Sequence, residues 1–394
     1  MSGSVIIAGA RTPIGRLLGG LSEFSAPQLG GFAIAAAIER ASITADQVEA
    51  VILGNVVQAG VGPNPARQAA FAGGISLNVP ATTVNKLCLS GLTSIAMADQ
   101  AIAAGQYDIV VAGGMESMTN APHLVRGARR GISYGSRAFE DALDRDALVG
   151  AVEGIPMGAA TEHDQAKFGF TRQQQDAFAA ESHRRAHAAT VEGRFAGEIE
   201  PITTAKGVVI AADEGIRPET TEQSLARLRP AFSPEGTITA GSASQLSDGA
   251  AAVIVMSKKK ARELGLTWIA EIGTYGTVAG PDTSLLHQPA NAVRDAVRRD
   301  GELGVDDFDL IEMNEAFASV ALASTAELGV DPAIVNVNGG AIALGHPVGM
   351  SGARLLLGLA GELGRLGGPR VGVAALCGGG GQGDALIIRV GQEL

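Results

Sequence analysis

Two cysteines, a histidine and an asparagine are the side chains of this chain best suited to covalent chemistry. Cys88 lies where a β-type run, residues 81–84, gives way to an apolar, alanine-rich helical stretch. Unpaired N–H groups and the positive end of a helix dipole favour thiolate over thiol, so we expect a lowered pKa and a nucleophilic sulfur at Cys88. A lone cysteine is more often a buried structural residue. The rest of the chain must therefore supply a base, a second thiol and an oxyanion site.

The other three candidates follow buried-type strands or lie in glycine-rich turns. His346 is flanked by glycines and precedes Pro347, which suits a fixed imidazole with a pKa near neutrality, although a buried histidine bonded to backbone would look the same. Cys377 opens a glycine run, residues 378–381, whose N–H groups could converge on an anion or form a plain tight turn. Asn314 ends a strand with an amide that can orient water or a carbonyl group. Each residue alone is weak support, so the fold must bring them together.

Length and composition limit the class of protein. A chain of 394 residues exceeds the size of a single hydrophobic core, so we expect two or more core-bearing units. The net charge of −11 argues against nucleic acid or an anionic membrane as the main partner. No apolar run approaches the roughly 20 residues that span a bilayer, and the first residues lack a secretory signal pattern. We therefore expect a soluble cytoplasmic protein.

Alternating strands and helices predict a covered, largely parallel sheet, and the chain repeats this pattern. Residues 309–314 resemble residues 50–55. The order of elements from residue 337 to 375 follows the order from residue 84 to 112. Two similar α/β halves packed together would bring corresponding strand ends to one edge, where open α/β sheets bind ligands. That edge would hold three candidate side chains: Cys88, His346 and Cys377.

A more polar segment interrupts the first half of the chain. From about residue 116 to residue 241 charge rises and turns multiply, which indicates an insertion with a role of its own. One clear helix is predicted in it, from the N-cap Thr171 to about Val191. His183 and His187 lie one helical turn apart and could bind a metal ion. No third ligand is evident, so a solvated helix face is the favoured interpretation.

The chain resembles the thiolase family over essentially its whole length, and most closely the bacterial acetyl-CoA acetyltransferases. Four stretches carry the resemblance, in the family's order: residues 85–91, 314–317, 339–349 and 377–383. The resemblance implies an α/β fold in five layers, α/β/α/β/α, built from two similar halves with an inserted loop domain. The implied boundaries are 1–268 for the first half, 269–394 for the second and about 117–244 for the loop domain.

The resemblance also implies a reaction, the reversible Claisen condensation of two acetyl-CoA to acetoacetyl-CoA and coenzyme A. Cys88 would carry the acyl group as a thioester, and His346 would activate its sulfur. Cys377 would move the α-proton, and the enolate oxygen would meet His346 and a water held by Asn314. The thioester oxyanion would rest on the N–H groups of Cys88 and Gly379. Coenzyme A enters as a substrate, and the family uses neither a metal nor a redox cofactor.

The family's coenzyme A contacts fall mainly in the loop domain. Arg217 matches the residue that meets the nucleotide end, and Ser244 matches a contact to the pantetheine arm. The loop domain of the family also supports tetramers, so the implied partners are acetyl-CoA, coenzyme A and three further copies of this chain. The remaining contact positions carried over from the family are Ser224, Leu228, Phe232, Ala243, Ala316 and Phe317.

Three positions depart from the family pattern near the acyl site. Leu89 replaces a small residue after the nucleophile, Pro156 stands where many members have histidine, and residues 287–289 read His-Gln-Pro. A pocket narrowed by Leu89 favours a short acyl group. The alternative is a 3-ketoacyl-CoA thiolase of broader chain length, in fatty-acid or sterol-side-chain degradation. A non-catalytic acyl-CoA or lipid binding protein of the same family would lack one of the three candidate catalytic groups, and all three are present.

Overall fold

The computed structural model describes residues 3–391. Met1, Ser2 and residues 392–394, which form the outer ends of the two predicted halves, lie outside the described residues. The strands are β1 Ser4–Arg11, β2 Gly15–Arg16, β3 Ala50–Gly54, β4 Ala81–Val84, β5 Ile109–Ser117, β6 His123–Leu124, β7 Glu140–Asp141, β8 Ile202–Thr203, β9 Val209–Ile210, β10 Ser247–Ser257, β11 Ala270–Ala279, β12 Leu310–Met313, β13 Arg370–Gly378 and β14 Gln382–Val390. The α-helices are α1 Ala26–Arg40, α2 Pro65–Ala72, α3 Ser90–Ala103, α4 Met157–Gln165, α5 Arg172–Val191, α6 Glu222–Leu225, α7 Lys258–Glu263, α8 Gln288–Asp300, α9 Ala318–Leu328, α10 Ala341–Leu344 and α11 Ser351–Leu366.

The main sheet repeats one strand order in the two halves of the chain. The first half runs β4-β3-β5-β10-β1 and the second runs β12-β13-β14-β11, with a bridge between Ile311 and Val335 in the place of β4. The halves join where β1 pairs with β11, through Val5 with Glu271 and Ile6 with Ala270. The repeat expected from the sequence is therefore present as a repeated topology.

The sheet is mixed, so the prediction of a largely parallel sheet is wrong. Strand β3 is parallel to β4 and β5, and β12 is parallel to β13. Strands β10 and β14 run antiparallel to both of their neighbours. The physical reason is visible at β13, which turns directly into β14 through its glycine run without the crossover helix that a parallel connection needs.

The fold has five layers: the two halves of the main sheet, a layer of helices between them and a layer of helices on each outer face. Helices α3 and α11 contact each other and pack against strands of both halves, so they form the middle layer. Helices α1 and α2 cover the other face of the first half, and α8 covers that of the second. The period-two alternation of the strands fits this arrangement: Val110 and Val253 pack inward with the central helices, whereas Val111 and Ile254 pack outward with α1.

The inserted segment, between β5 and β10, is built from α4 to α6 and two short hairpins. Its predicted helix is confirmed as α5, with Thr171 and Gln174 in a capping box. A fully buried arginine anchors the segment to β1, because Arg11 bonds Glu198 at 2.7 Å and both oxygens of Asp213 at 2.7 and 3.0 Å. Within residues 3–391, none of the helices combines the length and apolar character needed to cross a membrane.

The two central helices cross at glycines, which brings their backbones close together. A methyl group on Gly352 of α11 would lie 2.4 Å from the backbone nitrogen of Leu92 in α3, closer than any real side chain tolerates. Further along α11, Gly361 has no atom within 4 Å of the position a methyl group would take.

These two glycines give a matched test of the crossing. Gly352→Ala should lower the free energy of unfolding by about 1–3 kcal/mol, because the added methyl group overpacks the contact. Gly361→Ala should be neutral or stabilise by about 0.5–1 kcal/mol, because alanine is the better helix former. Chemical denaturation of both variants beside the parent measures the difference. Equal midpoints for the two variants would contradict the close crossing.

Candidate active site

Cys88 lies in a tight turn between β4 and α3. Leu87 adopts a left-handed backbone, with φ of 53°, which places the thiol just before the first turn of the helix. The Ser90 hydroxyl accepts the N–H of Lys86 at 2.8 Å and donates to the carbonyl of Leu87 at 2.6 Å. The turn is thus closed on itself by the serine that begins the helix.

The electrostatic surroundings of Cys88 raise its pKa to about 11, so the prediction of a lowered pKa is wrong. Burial of the sulfur among protein atoms disfavours the thiolate most, and the Glu116 carboxylate adds repulsion. The N–H groups of Cys88 and Gly379 favour the thiolate but do not offset burial. Cys88 is therefore a thiol near neutral pH and needs a base to become a nucleophile.

The stretch that carries His346 lies against the stretch that carries Cys88. The carbonyl oxygen of Gly349 occupies the space where a methyl group on Gly91 would be, at 2.9 Å, and similarly abuts Gly54 and Gly114. Only glycine allows this approach, because a Cβ atom on any of the three would meet that oxygen. The glycines around the histidine therefore serve to bring its segment onto the first half of the chain.

Hydrogen bonds fix the tautomer of His346. Ser351 donates its hydroxyl proton to the carbonyl of Pro347 at 3.0 Å, so its oxygen accepts from Nδ1–H of His346 at 2.6 Å. The lone pair then lies on Nε2, which is 3.4 Å from Nδ2 of Asn314. The nitrogen that faces Asn314 therefore carries no proton. A general base needs such a nitrogen to accept a proton.

The pKa of His346 is lowered to about 3, so the prediction of a pKa near neutrality is wrong. Burial of the imidazole is the main cause, and the positive charge of Arg354 adds to it. The imidazole is therefore neutral at physiological pH. That is the form able to take a proton from a thiol.

Asn314 is buried and has an unused acceptor. Its Nδ2 lies at the His346 imidazole, whereas its Oδ1 makes no hydrogen bond within residues 3–391. Buried acceptors without a partner are rare, and this one is able to take an O–H from a water molecule. The observation supports the predicted role of Asn314 in orienting water, which stays a prediction.

Cys377 is the penultimate residue of β13 and lies near Cys88, and both are free thiols. Burial raises the pKa of Cys377, and negative charge at Cys88 raises it further. Gly380 and Gly381 have φ of 78° and 69°, which lets the chain reverse directly into β14. The turn leaves the Gly379 N–H at the Cys88 sulfur, in support of the predicted oxyanion site.

Five of the predicted coenzyme A contacts form one wall beside Asn314. Ala243 pairs with Phe317 in an antiparallel bridge, and the Ser244 N–H donates to the carbonyl of Ala316 at 3.0 Å. The ring of Phe232 meets that of Phe317 edge-on, with 5.9 Å between centroids. The wall joins the loop domain to the strand end that carries Asn314.

The other three predicted contacts lie further along the loop domain. Leu228 reaches this wall, because its Cδ1 lies 2.8 Å from where a methyl group on Gly241 would be. The Ser224 hydroxyl is occupied in capping α6, and the Arg217 side chain is exposed. Arg217 is held through its backbone, whose N–H donates to Nδ1 of His183 at 3.1 Å. The structure does not bring Ser224 or Arg217 into the wall.

His183 is buried, so the interpretation of a solvated face holds only for its neighbour His187, which is exposed. Burial and the charge of Arg217 lower the pKa of His183 to about 4. Within residues 3–391, no cluster of three or more His, Cys, Asp or Glu side chains is arranged to hold a metal ion.

Two apolar side chains press on the glycine turn after Cys377. Leu89 is fully buried, and its Cγ lies 2.7 Å from where a methyl group on Gly378 would be. Met157, which follows Pro156 at the start of α4, lies 2.2 Å from the equivalent position on Gly379. Leu89 therefore supports the turn directly, and its effect on the acyl pocket stays a prediction.

His287 contacts Glu327 and Phe168. Its Nδ1 is 2.5 Å from a carboxylate oxygen of Glu327, and its ring centroid is 4.8 Å from that of Phe168. Phe168 in turn packs in the apolar cluster that contains Cys377. Phe168 thus connects this departure from the family pattern to the cluster around Cys377, and the effect of the departure on the acyl preference stays a prediction.

Two buried residues of the site were missed by sequence reasoning. Ser351 orients His346, and its only signal was a polar residue at the start of an apolar helix. Glu116 bonds the N–H groups of Val56, Val57 and Gly349 at 3.0, 3.1 and 3.0 Å, and its pKa is raised to about 7 by burial. An acid at the end of an otherwise apolar strand was the available signal.

The orienting role of Ser351 is testable by mutation. Ser351→Ala should lower kcat for thiolysis of acetoacetyl-CoA about tenfold, because it leaves a buried Nδ1–H of His346 without an acceptor. KM should change little, and Ser351→Thr, which keeps the hydroxyl, should restore most of the rate. Ser319→Ala is the matched control, since Ser319 is buried and its hydroxyl makes no hydrogen bond within residues 3–391. A Ser351→Ala enzyme with the parent kcat would contradict the role.

Comparison with known proteins agrees with the geometry. Residues 4–259 match the family model for the thiolase N-terminal domain, and residues 266–390 match that for the thiolase C-terminal domain. A probable acetyl-CoA acetyltransferase of Mycolicibacterium smegmatis is 58% identical over 98% of this chain and all of that protein. The acetyl-CoA acetyltransferases of Pseudomonas aeruginosa and Escherichia coli are each 46% identical over 98% of this chain and 99% of theirs. With both domain models matched and such relatives along its whole length, the chain belongs to the thiolase family, and the fold predicted from its four motifs is confirmed.

Proposed function

We propose that the protein is an acetyl-CoA C-acetyltransferase, which reversibly condenses two acetyl-CoA to acetoacetyl-CoA and coenzyme A. One observation carries the proposal: the partly buried thiol of Cys88 has two backbone N–H groups at its sulfur and a second, buried thiol, Cys377, beside it. The relatives named acetyl-CoA acetyltransferase support the same activity.

The first half-reaction transfers an acetyl group to Cys88. Nε2 of His346 takes the thiol proton while the sulfur attacks the thioester carbonyl of acetyl-CoA. The N–H groups of Cys88 and Gly379 stabilise the oxyanion, and coenzyme A leaves with the proton that the imidazole returns. The neutral, hydrogen-bonded state of His346 suits this role, because Nε2 carries no proton and can accept one on its lone pair.

The second half-reaction makes the carbon–carbon bond. Nε2 of His346 takes the thiol proton of Cys377, and the Cys377 thiolate takes an α-proton from a second acetyl-CoA. The enolate oxygen is stabilised by the resulting Nε2–H and by a water held at Asn314. The carbanion attacks the acetyl-Cys88 thioester and expels the Cys88 sulfur, which takes the proton back from the imidazole, giving acetoacetyl-CoA. The raised pKa of Cys377 fits this step, since a more basic thiolate is the better acceptor for a carbon-bound proton.

Coenzyme A is proposed to lie along the wall formed by Phe232, Ser244 and Phe317, with its nucleotide end toward Arg217. No metal or redox group takes part in the proposed reaction. Both thiols must be reduced for it to proceed, so we place the enzyme in the cytoplasm, where thiols are kept reduced.

The acyl chain preference separates the two candidate thiolase activities. We expect thiolysis of acetoacetyl-CoA at a kcat/KM at least about tenfold above that for 3-ketooctanoyl-CoA, because even a single methylene group is worth about 10-fold or more where a pocket excludes it. Loss of the 3-keto thioester after addition of coenzyme A is the measurement, with Cys88→Ala as the blank. Comparable rates would assign a 3-ketoacyl-CoA thiolase of broader chain length instead. Turnover of neither substrate would point to a binding protein.

We further propose that the enzyme is a homotetramer assembled through the loop domain. Large apolar side chains on this segment are exposed: Tyr134 is fully exposed, and Ile132 and Phe139 are 59% and 71% accessible. Light scattering coupled to size exclusion should give the mass of four chains. Replacing Ile132 and Tyr134 by serine should reduce it to two. A parent that elutes as a stable dimer would overturn the proposal.

A further inference from the structure

A charge network centred on a buried carboxylate includes Lys86, a residue of the nucleophile turn. The carboxylate of Asp384 is fully buried, and its Oδ1 accepts from Lys86 Nζ at 2.7 Å and from the hydroxyl of Thr277 at 2.8 Å. Its Oδ2 accepts from the hydroxyl of Thr93 at 2.7 Å. Lys86 also donates to Thr277 at 2.9 Å and to the hydroxyl of Tyr275 at 3.3 Å. Both charges are thus paired and hydrogen-bonded, which offsets the cost of burying the Asp384 carboxylate.

The network links the two halves of the fold at the level of the thiols. Lys86 is two residues before Cys88, and Thr93 is on α3, which Cys88 precedes. Asp384 is on β14, where the adjacent residue, Gly383, pairs directly with Cys377. One ion pair therefore joins the segment that carries one sulfur to the strand paired with the other.

The backbone of the nucleophile turn transmits this link to Cys88. Between Lys86 and Cys88 lies the left-handed residue Leu87, a conformation that costs free energy for a residue with a side chain. The N–H of Leu89 donates to the Lys86 carbonyl at 3.2 Å, and Ser90 binds the Lys86 N–H. A shift of Lys86 would accordingly move the turn as one unit.

We propose that the Lys86–Asp384 ion pair is a positioning device that sets the separation of the Cys88 and Cys377 sulfurs. Neither residue touches the reacting atoms, so the pair affects the reaction only through the positions of the two sulfurs. The inference rests on the proposed function in one respect. Condensation and thiolysis use both sulfurs, whereas acetyl transfer between two coenzyme A molecules uses only the Cys88 sulfur, together with His346.

The two half-reactions therefore report differently on this pair. Exchange of label between acetyl-CoA and free coenzyme A requires acylation of Cys88 and its reversal. Thiolysis of acetoacetyl-CoA also requires Cys377 to reach the carbon attached to that acyl group. Misplacement of a reacting group by about 1 Å can cost 10²-fold in rate, so a changed separation should affect the second reaction selectively.

A second ion pair in the same molecule is a matched control. Lys258, which begins α7, bonds Glu271 on β11 at 2.6 Å, and its side chain is 20% exposed against 23% for Lys86. This pair also joins the two halves, but it lies at the opposite end of the strands, where β1 and β11 meet. The Lys258–Glu271 pair therefore links the two halves as the Lys86–Asp384 pair does, but it does not lie near the thiols.

The experiment compares Lys86→Met, Lys86→Arg and Lys258→Met with the parent enzyme. Lys86→Met should leave label exchange close to the parent rate and lower kcat for acetoacetyl-CoA thiolysis about 10²-fold, with KM little changed. Lys86→Arg should recover most of this loss, and Lys258→Met should change neither kcat. Thr93→Val, which removes only the Oδ2 donor, gives a milder variant if Lys86→Met does not fold. Thr93→Val should also lower kcat for thiolysis selectively, but by a smaller factor than Lys86→Met.

A readout without turnover separates this inference from the proposed function. A short bis-alkylating reagent joins Cys88 to Cys377 only when their separation matches its span, and peptide mass spectrometry detects the bridge. Lys86→Met should lower the bridged yield while single alkylation of Cys88 persists. A parent that turns over neither substrate would refute the proposed function, and the bridging result would still decide the inference. Equal losses in both reactions, no loss in either, or an unchanged bridged yield would overturn the inference.

Discussion

The contact of one carbonyl oxygen with three glycines is the constraint on which the site depends. Gly349 places its oxygen where Cβ atoms on Gly54, Gly91 and Gly114 would otherwise be, at 2.7, 2.9 and 1.9 Å. Those glycines belong to β3, α3 and β5, so the segment that carries His346 packs against three elements of the first half of the chain. A methyl group at any of them would separate the base from the nucleophile. The chain contains 54 glycines, an unusually high number, and some of them are needed because the site can form only where the backbone segments approach this closely.

Close packing of this kind excludes water, and the exclusion determines the charge state of the site. Burial raises the pKa of both thiols and lowers that of the imidazole, so all three groups are neutral before substrate binds. Each charge appears only when a proton moves from one group to another. The donors at Cys88 and Asn314 then act on that charge in a medium of low dielectric constant, where they stabilise it more than water-exposed donors would.

The sequence predicted the class of the fold, its internal repeat and the candidate side chains, because each has a local signal. Cys88 follows a strand, Cys377 opens a glycine run, and the α5 helix begins at a capping box. What failed were the protonation states of the site and the directions of the strands, which depend on the three-dimensional surroundings. The direction of the pKa shifts at Cys88 and His346 depends on how many atoms surround them, which no spacing encodes. The antiparallel pairing of β10 with β1 and β5, and of β14 with β11, likewise depends on contacts between distant parts of the chain.

Residues that hold the catalytic groups were the hardest to find, and the reason is physical. Ser351 and Glu116 become meaningful only through partners at His346 and Gly349, the second more than two hundred residues away from its acid. A buried carboxylate such as Glu116 costs free energy to desolvate, and its three backbone donors return only part of that cost, as its raised pKa shows. Stability alone would be served as well by an apolar side chain. The retention of such groups around Cys88 is better explained by the geometry they impose on the turns that carry the reacting atoms.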